Sequence, residues 1–207
     1  MKKISIFALG TAGALAAGCA AMMSGDEQYA DKALAMMKTS FKERGQAKLD
    51  RLDQDDMQRM CSAAAEKPVA KDVAERLEKA QQALLKYPAD GKYLGDWKAG
   101  ERIAQSGQGK QFSDNPANPN GANCYACHQL SKAELSFGTI GPTLYNFGKL
   151  RGFTPEMQKY AYSKVYNSQA FSACSNMPRF GHAGILTEKQ IQDVVALLMD
   201  PESPINK

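Results

Sequence analysis

Five consecutive residues, Cys124-Tyr125-Ala126-Cys127-His128, set two thiols and an imidazole at a spacing that suits one chemistry above others. In a C-x-x-C-H box each thiol can add to a vinyl group of a porphyrin, and the adjacent histidine can reach the iron. The two vinyl carbons lie on neighbouring pyrrole rings, so the thiols must be close together. A bare C-x-x-C also serves redox dithiols and half of a zinc site. Neither of these needs a histidine directly after the second cysteine, and the other cysteines of this chain do not make a second close pair. One covalently bound haem c is the expected cofactor, attached through Cys124 and Cys127, with His128 on the iron.

The opposite face of the iron needs a second ligand. Met157, Met177, Met199 and His182 follow the box. Met157 and Met199 lie in stretches with helical apolar spacing, where methionine usually packs the core. Met177 sits instead in Ser175-Asn176-Met177-Pro178, an irregular stretch, where proline stiffens the backbone beside the sulfur. It follows His128 by 49 residues, enough chain to pass round one haem edge. Met177 is therefore the expected sixth ligand and His182 the alternative. A ligating histidine normally donates its other ring N–H to a carbonyl. The carbonyl of Pro142, in Gly141-Pro142-Thr143-Leu144, is the candidate acceptor, against the plainer reading of a Gly-Pro turn.

The elements that must position these groups read as helices. Residues 27–62 are rich in good helix formers, with Gly45 as a break. Val69, Val73, Leu77, Ala80 and Leu84 recur at helical spacing until Pro88 and Gly91 close the run. A short helix is expected from Asp96 to Ser106, then a polar loop over 106–123 leading into the box. Thr154-Pro155 starts another helix, with threonine as N-cap and proline in the first turn. Thr187 and Gln190 form a capping box before the apolar face of Ile191, Val194, Val195, Leu197 and Leu198. No strand pattern or repeat is present. The fold class is all-α, divided as a leader over 1–19, a helical N-terminal extension over 20–92 and a haem domain over 93–207. The extension reads either as a helical hairpin packed on the rest of the chain or as an arm that grips a partner.

Lys2 and Lys3 followed by a short apolar run form a secretory leader, too short to cross a bilayer. Ala16-Ala17-Gly18-Cys19 resembles a bacterial lipobox, in which Cys19 is acylated and becomes the mature N-terminus; ordinary cleavage near Ala16 or Ala21 is the other reading. A periplasmic location, soluble or lipid-anchored, follows from either. The chain has 26 basic and 22 acidic residues, and losing Lys2 and Lys3 leaves a formal charge of +2 before haem propionates and chain termini are counted. With no sustained basic stretch, nothing points to nucleic acid.

The order C-x-x-C-H, G-P-x-L, M-P and a final apolar helix resembles class I cytochrome c over about residues 93–207, which implies an all-α fold with His/Met ligation. The segments 124–129, 137–146, 173–182 and 185–198 are similar to the SoxX family, the smaller haem subunit of SoxAX cytochrome complexes. That resemblance implies a role in bacterial thiosulfate oxidation. A SoxA-type partner joins thiosulfate oxidatively to a carrier-protein cysteine, at a haem with a modified cysteine ligand. The S–S bond forms with release of two electrons, which the SoxX haem accepts and passes to a downstream cytochrome. The chain would then be the electron-transfer subunit, not the catalytic one, of an L-cysteine S-thiosulfotransferase. The residues agree with this, since no nucleophile with an adjacent base and no paired-carboxylate signature is evident. The alternative is a free periplasmic monohaem shuttle.

Two cysteines remain. In an oxidising compartment Cys61 and Cys174 are expected to pair, although either could stay free and Cys61 could bond another protein. Non-reducing peptide mapping of the mature protein should recover a Cys61–Cys174 cross-linked peptide; alkylation of both thiols without prior reduction would refute the bridge.

Overall fold

A computed structural model describes residues 29–64 and 67–207, so the expected leader and Cys19 lie outside the described residues. The chain divides into two compact units. In the smaller, helix α1 covers 29–40 and is followed by a tight 3-10 turn at Leu49–Leu52. Lys38 pairs with Asp53 at 2.5 Å, and Glu43 accepts from Lys48 Nζ at 3.2 Å and the Leu49 amide at 3.4 Å.

The larger unit takes in residues 44–47 and 54–207. Its helices are α2 (Asp56–Ala64), α3 (Lys71–Gln82), α4 (Trp97–Gln105), α5 (Phe147–Arg151), α6 (Pro155–Tyr166) and α7 (Glu188–Met199). No strand occurs among the described residues, and no helix there is long and apolar enough to cross a membrane. The expected break at Gly45 is a turn closed by Arg44 and Ala47, in which Gly45 takes φ +54°, the left-handed region open to glycine.

The frame is the crossing of α4 and α7. Thr187 caps α7, its hydroxyl accepting from the Gln190 amide at 3.3 Å while Gln190 Oε1 accepts from the Thr187 amide at 3.1 Å. Along α7, Ile191, Val195, Leu197 and Met199 are completely buried, as an apolar stripe facing the core requires. Helix α4 meets it at Gly100, where a Cβ would overlap the Asp193 main-chain carbonyl and stand 3.1 Å from Leu197 Cβ. Asp193, although charged, is only 5% exposed. Its carboxylate accepts from the Asp96 amide at 2.7 Å and pairs with Lys189, so a negative charge sits at the α4 N-terminus, where the helix dipole favours it. Asp96 itself caps α4 by accepting from the Lys98 amide.

Helices α2 and α3 belong to the same compact unit as the residues after 93. Helix α3 ends at Gln82, short of the expected stop at Pro88, because the next turns tighten: Leu84 donates to Gln81 and Leu85 to Gln82, both i to i−3. That end is used elsewhere. Gln81 Oε1 accepts from Asn167 Nδ2 at 2.9 Å, and Gln82 Nε2 donates to the Ala170 carbonyl at 2.9 Å. Tyr87 and Tyr93, beyond α3, lean on Tyr162 of α6 with ring centroids 6.2 and 5.4 Å away. A disulfide joins Cys61 of α2 to Cys174, across a sequence separation of 113 residues. Closing a loop of that length restricts the unfolded chain by about 5 kcal/mol in the chain-entropy account.

The glycine at the α4–α7 crossing gives a stability prediction. In Gly100→Val the gain in helix propensity is under about 1 kcal/mol. The added atoms meet main chain that cannot rotate away, and overpacking of this kind costs about 1–3 kcal/mol. Denaturant melts should show net destabilisation.

Candidate haem site

The box is delivered by the end of α4. The 106–123 loop folds back on it, with Ala122 donating to the Ile103 carbonyl and Asn123 to the Ser106 carbonyl, each at 2.9 Å. Asn123 then takes the left-handed conformation, φ +47°, which asparagine tolerates better than most residues. A 3-10 turn at Cys124–Ala126 follows, in which the Cys127 and His128 amides both reach the Cys124 carbonyl, at 3.1 and 2.9 Å. Residues three and four apart on such a turn share a face. Cys124, Cys127 and His128 are thus gathered on one side, while Tyr125 is buried in the core.

Both thiols of the box are free. Burial pushes the Cys124 thiol up to about 12, the reverse of the lowered value that makes a C-x-x-C pair reactive. Among the described residues, no three His, Cys, Asp or Glu side chains gather as a metal-binding set.

The segment 131–144 runs back beside the box. Gly138 donates to the Tyr125 carbonyl at 2.9 Å, Gly141 to the Cys127 carbonyl at 2.8 Å and Leu144 to the Gln129 carbonyl at 2.8 Å. These bonds bring the Pro142 carbonyl within 2.7 Å of His128 Nδ1. A carbonyl can only accept, so Nδ1 is the donor, and in the neutral ring the lone pair is then on Nε2. The two glycines make this approach possible. A Cβ at Gly141 would overlap the His128 ring, and one at Gly138 would overlap the Ala126 carbonyl. Neither glycine stands out by composition or helical period; the signal for this role is the run Gly138-Thr-Ile-Gly141-Pro142.

Met177 is half-buried in an irregular loop and packs against the same core as Cys124. Its carbonyl accepts from the buried Ser168 hydroxyl at 2.5 Å, and its amide donates to Ser175 Oγ at 3.3 Å. Met199 is wholly buried in α7, and Met157 packs against the core from α6. His182 lies near the Asp55–Arg179 ion pair. Its pKa is held below the usual value by burial and by Arg179, with Asp55 opposing.

These groups fit a haem. Two unbonded thiols lie one turn apart, an imidazole has its tautomer set, a glycine cradles that ring, and a thioether stands in a braced loop. Residues 106–200 match the family described as Cytochrome c, which implies a covalently bound haem c. The chain is also similar to an uncharacterised lipoprotein of Aquifex aeolicus (strain VF5), 37% identical over 211 residues that span 100% of each chain. That similarity takes in α2 and α3 as well as the matched domain. With the all-α fold of class I cytochrome c built around its C-x-x-C-H turn, the chain carries a cytochrome c domain and belongs to the same family as this lipoprotein.

Proposed function

We propose that this protein is the monohaem electron-transfer subunit of a SoxAX-type complex, taking electrons released when thiosulfate is oxidatively joined to a carrier-protein cysteine. The observation that carries the electron-transfer part is the 2.7 Å contact of His128 Nδ1 with the Pro142 carbonyl, which leaves Nε2 as the iron-facing nitrogen. Cys124 and Cys127 would hold haem c through thioethers, and His128 and Met177 would bind its iron. Bound haem c supplies a one-electron iron couple. With His128 and Met177 both holding the iron, the haem would have no open position for substrate, and methionine sulfur would favour the ferrous state, which suits an acceptor.

The finer assignment is supported by the sequence segments 124–129, 137–146, 173–182 and 185–198, which are similar to SoxX chains. On this reading the bond-forming chemistry belongs to a SoxA-type partner, and a downstream cytochrome receives the electrons. The relative named a lipoprotein supports acylation at Cys19 and a periplasmic, lipid-anchored location.

Met177→Ala should abolish the far-red sulfur-to-iron absorption band of the ferric protein and lower its reduction potential; an unchanged band would overturn the ligand assignment. Gly141→Ala places a methyl group where the His128 ring lies, and should reduce the yield of haem-loaded protein relative to wild type, measured as haem absorbance per mole of chain. Native purification of the tagged mature protein from an envelope extract tests the subunit role. A stoichiometric second c-type cytochrome of SoxA character is the expected result, and a clean monomer with one haem would favour a mobile shuttle.

A further inference from the structure

Helices α2 and α3 lie outside the residues that match the cytochrome c family, yet they hold the loop that carries Met177. Three ties reach that loop from them. Cys61 is bonded to Cys174, three residues before Met177. Asp55, just before α2, pairs with Arg179, two residues after Met177, at 2.6 Å. Glu78 of α3 accepts from the Ala173 amide at 2.9 Å. The ties therefore bracket the methionine on both sides, and all of them lie within one compact unit. The bracketed segment has little regular structure of its own, and Cys174 is held at φ +59°, a left-handed conformation that costs a residue with a Cβ about 1–2 kcal/mol. A segment of this kind opens locally at low free energy unless other contacts close it.

We propose that α2 and α3 form an intramolecular strap whose function is to position the Met177 sulfur on the haem iron, with Cys61 and Asp55 as its positioning residues. This inference rests on the reading of Met177 as the distal ligand. The strap keeps the loop closed when the iron changes charge, so the thioether stays in place and exogenous ligands stay out. The extension before residue 93 thereby gains a role within its own chain.

The test uses haem-loaded full-length protein and imidazole as a competing ligand, following the far-red band of the ferric state. Wild type should show the band, and Met177→Ala should lack it. In the double variant Cys61→Ser with Cys174→Ser, imidazole should displace the band at about tenfold lower concentration, and Asp55→Asn should shift it in the same direction. A purely structural role would lower the melting temperature without moving the imidazole midpoint. Midpoints within about twofold of wild type in both variants would overturn the strap while leaving the ligand assignment intact. Should the double variant not load haem, Asp55→Asn decides by the same criterion. A wild-type protein without the band would overturn the ligand reading and the strap with it.

Discussion

An imidazole offers one nitrogen to a metal in a fixed tautomer and orientation when the other donates to a protein acceptor. In this protein that engagement is the hydrogen bond from His128 Nδ1 to the Pro142 carbonyl, and much of the site is arranged to permit it. The carbonyl comes within reach because Gly138, Gly141 and Leu144 donate in succession to the box and the residue that follows it. The approach is close because glycine stands at 141, where any side chain would occupy the volume of the ring. The proline adds a carbonyl while withholding a competing N–H. The loop path thus makes the contact, and the contact sets the tautomer and the ring orientation.

That contact is local, and it needs a frame. Helices α4 and α7 supply it by crossing at Gly100, close enough that the α7 main chain fills the place of a side chain. The buried Asp193 carboxylate would be costly without partners. Here it is satisfied by the Asp96 amide and by Lys189, and it fixes the start of the helix whose far end delivers Cys124. At the other end of α7, Asn206 donates to the Leu198 carbonyl and accepts from the Gly148 amide, which ties α5 to the C-terminal turn.

The methionine side is built differently. Where the histidine side uses backbone-to-backbone bonds between neighbouring segments, the Met177 loop relies on side chains from distant helices. Asn167 and Ala170 are held by Gln81 and Gln82, and Cys174 and Arg179 by Cys61 and Asp55. Irregular backbone has few repeating partners of its own, so its polar groups must find them elsewhere. On the proposed reading this division suits electron transfer: both ligands are held by the protein before the iron changes charge.

The sequence by itself determined whatever depends on neighbours within a few residues. The C-x-x-C-H spacing defines a haem-attachment turn, Thr154-Pro155 and the Thr187/Gln190 box start helices where the structure has them, and the α7 periodicity marks its buried face. These are signals of covalent spacing, capping and helical period, and each acts over one or two turns of chain. Tertiary structure decided the rest. The end of α3 at Gln82 could not be read from an apolar pattern that continues to Leu84, because the tightening follows from where Gln81 and Gln82 bond. The five residues of α5 are too few to show a period. Of the ties to the loop around Met177, the Cys61–Cys174 bridge follows from the two cysteines left over in an oxidising compartment. The closeness demanded at Gly100 and the hold of Asp55 and Glu78 on that loop join residues about a hundred positions apart, and only the folded chain brings such partners within range of a hydrogen bond.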